Sequence, residues 1–380
     1  MAGGGAPGSA GAPGNAAWVG TWAVSPQCCG NAFEKQTLRQ IVHTSISGSA
    51  ARVQLSNAFG SQAIMVGDVH LAKRTTGSSV DLATDQAVTF GGQKTISIAA
   101  GGSAVSDSIA FSVSALSDVA VSFYLPQGTG PITYHQQGTQ TNYAAAGDVA
   151  GNKDLSGTQN SGSYYLLANL DVKNPQALGA LATLGASITD GVGSSQDNNR
   201  RWPNDLAKRL NTAGKVVGVL NQGISGNQLL KDGAGQSALK RFQRDVLAQP
   251  GIAWVIFSDD PINDLGSGSN RPSGAQLIDG LKQLIAAAHT AHVKFLCSTL
   301  TPFEGSGGWS SEGEVSRGQI NAFVRSADSG CDGVVDQDTA THDPAHPTKF
   351  LSTLHIGDFL HPNEAGLQAI AEAVSLELFK

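Results

Sequence analysis

Apolar and polar residues alternate in short runs from about Trp18 to Val172. TLRQIVHTSI, ARVQLSNAF, KTISIAA, SIAFSVSA and DVAVSFYLP are separated by Gly, Ser, Asn and Asp breaks. Such alternation buries one face of a strand and wets the other, and repeated short strands between turn signals predict a β-sandwich of the jelly-roll kind. The polar, Gly/Ser-rich stretch from Gly147 to Gly162 predicts a surface loop before a last strand around Tyr164 to Val172.

After Asn174 the rhythm changes to strand, loop, helix. ALATLGAS, KVVGVLNQG, GIAWVIFSDD, VKFLCSTLTP and CDGVVD are continuous apolar runs, the signature of parallel strands buried on both faces. RWPNDLAKRLNTAG, GAQLIDGLKQLIAAAHTA and NEAGLQAIAEAVSLELF carry the helical period between or after them. The pattern predicts an α/β unit, a three-layer α/β/α arrangement with active residues on loops at the carboxyl ends of its strands. The chain therefore divides into a Gly/Ala/Pro tether at 1–16, a β-sandwich at 17–173 and an α/β domain at 174–380.

Composition narrows the partners. Lys plus Arg number 24 against 30 for Asp plus Glu, a net charge of -6, and no basic run is long enough to track phosphates, so nucleic acid is not an expected partner. No stretch approaches the roughly 18 apolar residues of a membrane span. The low charged content of 14% resembles that of secreted bacterial enzymes. Together with the tether from Met1 to Asn15 it leads us to expect an export signal removed from upstream and a protein that is secreted or tethered at the cell surface. Oligomeric state is not legible.

Cys28, Cys29, Cys297 and Cys331 lack the CxxC or Cys/His spacing of a zinc site, and neither a metal nor another cofactor is expected. Cys297 lies in one expected strand and Cys331 just before the next, so a bridge and two buried thiols are both open. Vicinal Cys28 and Cys29 do not close easily on each other without backbone strain and receive no role.

LATLGASITDG runs a buried strand into Ser187, which presents the hydroxyl at a strand's carboxyl end; a serine there also suits a helix N-cap. A serine hydroxyl needs a base, and IGDFLHPNEAG supplies Asp358 and His361 three residues apart on a loop entering the last helix. That spacing lets one imidazole nitrogen meet the carboxylate while the other faces outward, although a turn followed by a helix cap would also use these residues. Acyl transfer further needs donors for the developing oxyanion. LNQGISGN offers the Gly226 amide and FSDDPINDLG the Asn263 side chain, each equally readable as a turn.

Ser187, Gly226, Asn263 and His361 fall on separate loops at one expected sheet edge, and in that order they resemble the SGNH (GDSL-like) hydrolase superfamily, named for those residue types. The likeness extends over GTWAVSP, TLRQIVHTSISGSAARVQLSNAFG, RWPNDLAKRL, RFQRDVLAQPGIAWVI, TLTPFEGS and GDFLHPNEAGLQAIAEAV, nearly the whole chain after Trp18. It is nearest to the secreted xylan-esterase-like and carbohydrate-esterase-like branch with a β-rich N-terminal domain.

The resemblance implies a flavodoxin-like domain and a serine esterase acting on acylated carbohydrate or a smaller ester. It implies Ser187 as nucleophile, His361 as general base and Asp358 as its orienter. Ser187, Gly226 and Asn263 would be the oxyanion donors. An acyltransferase would use the same residues.

Two positions depart from the family pattern. Ala186 stands where the first block has Asp, removing a carboxylate that helps hold neighbouring loops in relatives. Pro261 stands where the third block has Gly, after an acidic Ser258-Asp259-Asp260 run, and is expected to shift the Asn263 loop. These departures motivate an alternative, a catalytically impaired carbohydrate-binding relative. Asp259, Asp260 and Asp264 suit substrate hydroxyls or a cation, but solvated turn carboxylates are the plainer reading. Trp202 is expected to pack beneath its helix, and His135 to be a satisfied core histidine outside the site. His342, His346 and His355 lie on polar loops without ligand spacing.

Overall fold

The computed structural model describes residues 18–380, so the tether read at 1–16 lies outside the described residues. The first half is β-rich and antiparallel. One sheet orders Trp18–Ala23, Leu167–Lys173, Ala51–Ser56 and Ser103–Val105. The larger sheet is centred on Gln36–His43, Asp118–Leu125 and Ile64–Thr76. Val53, Leu55 and Leu170 from the first share one buried cluster with Leu38, Val121 and Phe123 from the second. Burial of such side chains from both inner faces drives the sandwich.

Two segments depart from the strand reading. SIAFSVSA forms only isolated bridges, Ala51 with Ile109 and Gly48 with Val113, although Ile109, Phe111 and Val113 are buried. Its alternation reflects packing over the core without a ladder. Ile64–Thr76, the longest strand described, was not legible because Gly67 and Asp68 interrupt its alternation at a register shift.

The second half is a five-stranded parallel sheet with helices. Its strands are β1 (Gly179–Gly185), β2 (Val217–Gly223), β3 (Ile252–Phe257), β4 (Lys294–Ser298) and β5 (Gly333–Val335). The order is β2-β1-β3-β4-β5, the flavodoxin-like arrangement, whose switch point at β1 and β3 opens a crevice at the carboxyl edge. The helices that bear on the site are α1 (Ser187–Asp190), α2 (Trp202–Thr212), α3 (Asp260–Leu265) and α4 (Glu364–Glu372). The closing helix α4 is shorter than its apolar period suggested, stopping at Glu372 before a short turn of 3-10 helix at Leu376–Leu378.

The halves meet backbone to backbone. A Cβ on Gly218 would lie 2.0 Å from the Gly20 carbonyl oxygen, so only glycine fits there. Ser45 Oγ accepts from Val219 N–H at 2.9 Å, and Ala180 and Leu220 of the parallel sheet belong to the β-rich core.

Cys297 and Cys331 form a disulfide with Cα atoms 5.8 Å apart, tying β4 to the segment before β5. Cys28 and Cys29 are also bridged, across a cis peptide bond. No helix among the described residues is long and apolar enough to cross a membrane.

Candidate active site

β1 is buried throughout and delivers the chain into α1, whose first residue is Ser187. Gly191 ends this single turn in the left-handed region at φ 107°, a conformation open to glycine. Asp358 and His361 arrive from the far end of the sequence, just before α4. His361 Nε2 lies 2.8 Å from Ser187 Oγ, and His361 Nδ1 lies 2.6 Å from Asp358 Oδ2. The hydroxyl, imidazole and carboxylate therefore stand in line.

Burial pushes the Asp358 carboxyl up. Hydrogen bonds from the His361 amide and imidazole and the Leu360 amide outweigh it and hold the group below the usual carboxylate range. A carboxylate so held stays ionised and fixes the tautomer that leaves Nε2 free to accept the serine proton.

The loop bearing this pair is organised by a residue the sequence reading left aside. His355 Nδ1 accepts from Gly357 N–H at 3.0 Å and Phe359 N–H at 3.3 Å, while Ile356 N–H donates to the His361 carbonyl at 3.0 Å. His355 and Phe359 rings also lie 4.8 Å apart. Nothing local in the sequence signals this role beyond an aromatic residue near the motif.

Gly226 sits in the loop after β2 with φ 80°. Its neighbour Ser225 donates from N at 2.9 Å and Oγ at 2.7 Å to Asp190 Oδ2, which anchors this loop to the end of α1. Asn263 lies in α3, and its Nδ2 donates to the Asn227 carbonyl at 2.8 Å. An amide nitrogen carries two protons, so one remains for a ligand. The Gly226 and Asn263 loops are thus joined directly.

The acidic run corrects the sequence reading. Asp259, Asp260 and Asp264 are 3%, 0% and 0% exposed, not solvated turn residues. Asp260 Oδ1 accepts from Asn227 Nδ2 at 2.8 Å, and Asp264 accepts from the Leu229 and Leu230 amides. Burial pushes both carboxyls up to about 6, against the Arg241 guanidinium near Asp260 and the backbone amides on Asp264. Asp259 reaches the turn that carries Ser187: Oδ1 accepts from Ala186 N–H at 3.0 Å and Thr189 Oγ at 2.6 Å, Oδ2 from Ile188 N–H at 2.8 Å. The strand register carries it there: Leu184 pairs with Phe257, and two residues on the same register brings Asp259 beside Ala186.

Pro261 occupies the first turn of α3, where an N–H has no intrahelical partner, so proline removes nothing the helix needs. Trp202 is fully buried beneath α2, as expected. His135 is likewise buried, yet it touches the site's support: its Nε2 lies 3.0 Å from Asp190 Oδ1 and its Nδ1 3.0 Å from the Ser25 carbonyl.

A hydroxyl on an imidazole backed by a carboxylate, at the carboxyl edge of a flavodoxin-like sheet, has the form used for nucleophilic acyl transfer. Residues 183–369 match the GDSL-like lipase/acylhydrolase family. The protein is thus a carboxylic ester hydrolase with a β-rich half ahead of its catalytic one.

Among solved structures, Axe2, an acetylxylan esterase from Geobacillus stearothermophilus, is 19% identical with a TM-score of 0.40, over 52% of this chain and 92% of that one. A GDSL-like lipase from Bacteroides thetaiotaomicron is 15% identical with a TM-score of 0.39, over 53% of this chain and 88% of that one. LAE5, an alpha/beta hydrolase enzyme from the metagenome of Lake Arreo, Spain, is 21% identical with a TM-score of 0.40, over 52% of this chain and 93% of that one. No curated protein matches the sequence.

Proposed function

We propose that the protein hydrolyses carboxylic esters through an acyl-enzyme on Ser187. The observation that carries this reading is the 2.8 Å approach of His361 Nε2 to Ser187 Oγ, with Asp358 on the other ring nitrogen. His361 takes the serine proton as Oγ attacks the ester carbonyl, then returns it to the departing alcohol. Water repeats the sequence on the acyl-enzyme and releases the acid. Ser187 N–H, Gly226 N–H and an Asn263 Nδ2 proton are the donors for the tetrahedral oxyanion.

The substrate class in this reading is acylated carbohydrate or a smaller ester, on the strength of the motifs shared with the carbohydrate-esterase-like branch. Ala186 and Pro261, which motivated a catalytically impaired alternative, weigh less against turnover once Asp259 anchors the nucleophile turn and Pro261 sits in the first turn of a helix. We also place the protein outside the cytoplasm, secreted or tethered; its two disulfides support that compartment.

Hydrolysis of p-nitrophenyl acetate by the wild type and by Ser187→Ala tests the mechanism, with labelling of Ser187 by a fluorophosphonate as a substrate-independent check. Equal rates for the two proteins would remove the esterase mechanism. A panel of acetylated xylan, pectin fragments and aryl esters of rising chain length then assigns the acyl and alcohol groups.

A further inference from the structure

Ser187 lies between two backbone amides that serve the same acceptor. Ala186 N–H and Ile188 N–H both donate to Asp259, one to each carboxylate oxygen, and Thr189 Oγ adds a third bond. Ser187 N–H, between them, has no hydrogen-bond acceptor among the described residues. The turn is thus clamped from one side by its two outer amides, which leaves the middle one for the pocket.

The surroundings are shaped for this contact. A Cβ on Gly185 would come within 2.4 Å of Asp259 Oδ1, so the preceding residue has to be glycine for the carboxylate to approach. Ala186 is fully buried, and its side chain brings no polar atom. Arg241, also fully buried, donates to the Gly185 carbonyl at 3.0 Å and lies 3.6 Å from Asp260, giving the acidic pair a cation within the same cluster.

We propose that Asp259 is the positioning residue of the nucleophile, supplying from β3's exit the carboxylate that holds the Gly185–Thr189 turn, and that it does so in place of a carboxylate at position 186. The inference rests on Ser187 being the nucleophile and adds the group that aims it. Asp259 touches no reacting atom. It sets where Ser187 Oγ stands relative to His361 and which way Ser187 N–H points.

The chemistry fixes the sign of each substitution. Asparagine at 259 keeps the shape but replaces one accepting oxygen by an NH2, which then confronts an amide that also donates. A second carboxylate at 186 would be buried beside the first, and two like charges at that distance repel strongly. Ala186→Asp is therefore expected to lower activity in the wild type, the reverse of what a repair of the family pattern would do, and to do less harm once Asp259 is asparagine.

The test measures kcat and KM for p-nitrophenyl acetate in wild type, Asp259→Asn, Ala186→Asp and the double variant, with thermal melting to show that each is folded. Asp259→Asn is expected to lose about 100-fold in kcat with KM nearly unchanged, the cost of a displaced nucleophile. Ala186→Asp is expected to lose about tenfold or more, and the double variant to lose less than the two losses multiplied. A kcat for Asp259→Asn within about twofold of wild type, or a gain from Ala186→Asp, overturns the proposal.

If Asp259→Asn does not fold, the sign of the Ala186→Asp effect decides alone. An inactive wild type would strike at the esterase reading instead. In that case the crystal structure of Asp259→Asn decides: Ser187 Oγ beyond hydrogen-bond reach of His361 supports the positioning role, and an unchanged contact overturns it.

Discussion

His135 and Asp190 meet across the seam between the two halves, imidazole Nε2 against carboxylate Oδ1 at 3.0 Å, with both side chains almost completely buried. The same carboxylate holds Ser225 through its other oxygen, next to Gly226. A histidine of the β-rich half therefore braces the loop expected to bind the oxyanion.

Removing this brace tests whether the β-rich half contributes to turnover. His135→Ala leaves a buried carboxylate oxygen without its ring partner, which costs about 1 to 3 kcal/mol by the usual penalty for an unsatisfied buried acceptor. Urea unfolding reads that loss. The kcat for p-nitrophenyl acetate is expected to fall about tenfold as the Ser225 loop loosens. A stability loss with kcat unchanged would confine His135 to a packing role.

Asp358→Asn keeps the shape of the proposed triad's third member and removes its charge. The amide cannot fix the required imidazole tautomer, so kcat is expected to fall about 10³- to 10⁴-fold. Melting should barely move, because the carboxylate is 41% exposed. Its depressed pKa means that the stability it contributes is present above the ordinary aspartate range and is lost only as pH falls below it.

His355 organises the loop only while its Nδ1 accepts. His355→Phe keeps a ring beside Phe359 but loses both bonds to the Gly357 and Phe359 amides, and kcat is expected to fall about tenfold at unchanged KM. His355→Asn, whose Oδ1 can take the place of Nδ1, should retain more activity. Equal losses in the two variants would show that the ring, not the acceptor, matters.

Asp171, Asp260 and Asp264 are all pushed up to about 6 by burial. In the unfolded chain they titrate near 4, so between those values the folded protein holds protons that the unfolded chain has released. The stability they contribute is present below about pH 4 and declines as pH rises towards 6. Asp264→Asn should flatten this slope by about 3 kcal/mol between pH 4 and 6, read by denaturant unfolding at each pH. An unaltered slope would remove Asp264 from the account.

The disulfide closing the segment from Cys297 to Cys331 spans 34 residues. Its replacement by serines is expected to cost about 3 to 4 kcal/mol from the regained freedom of the unfolded chain. Denaturant midpoints of wild type and the double serine variant measure this, and coinciding midpoints would refute it.

The three groups the structure brings together were legible because each is marked locally: Ser187 by a buried strand breaking at glycine, Asp358 and His361 by their spacing before an amphipathic helix. Their supports were not, because those depend on strand neighbours and on contact between the halves. Asp259 looked like a solvated turn until the β1–β3 register set it against Ala186. His135 was read correctly as a satisfied core histidine, but the identity of its partner, Asp190, is a property of the assembled seam. The Ile64–Thr76 strand escaped because a bulge breaks the alternation by which strands are read.

The glycine contact at positions 20 and 218 limits how the two halves can be separated. With the two main chains touching and Ala180 and Leu220 built into the sandwich interior, a catalytic fragment cut free near 174 would carry a raw apolar flank and an uncovered sheet margin. Exchanging one half for another would have to preserve both glycines and that shared interior.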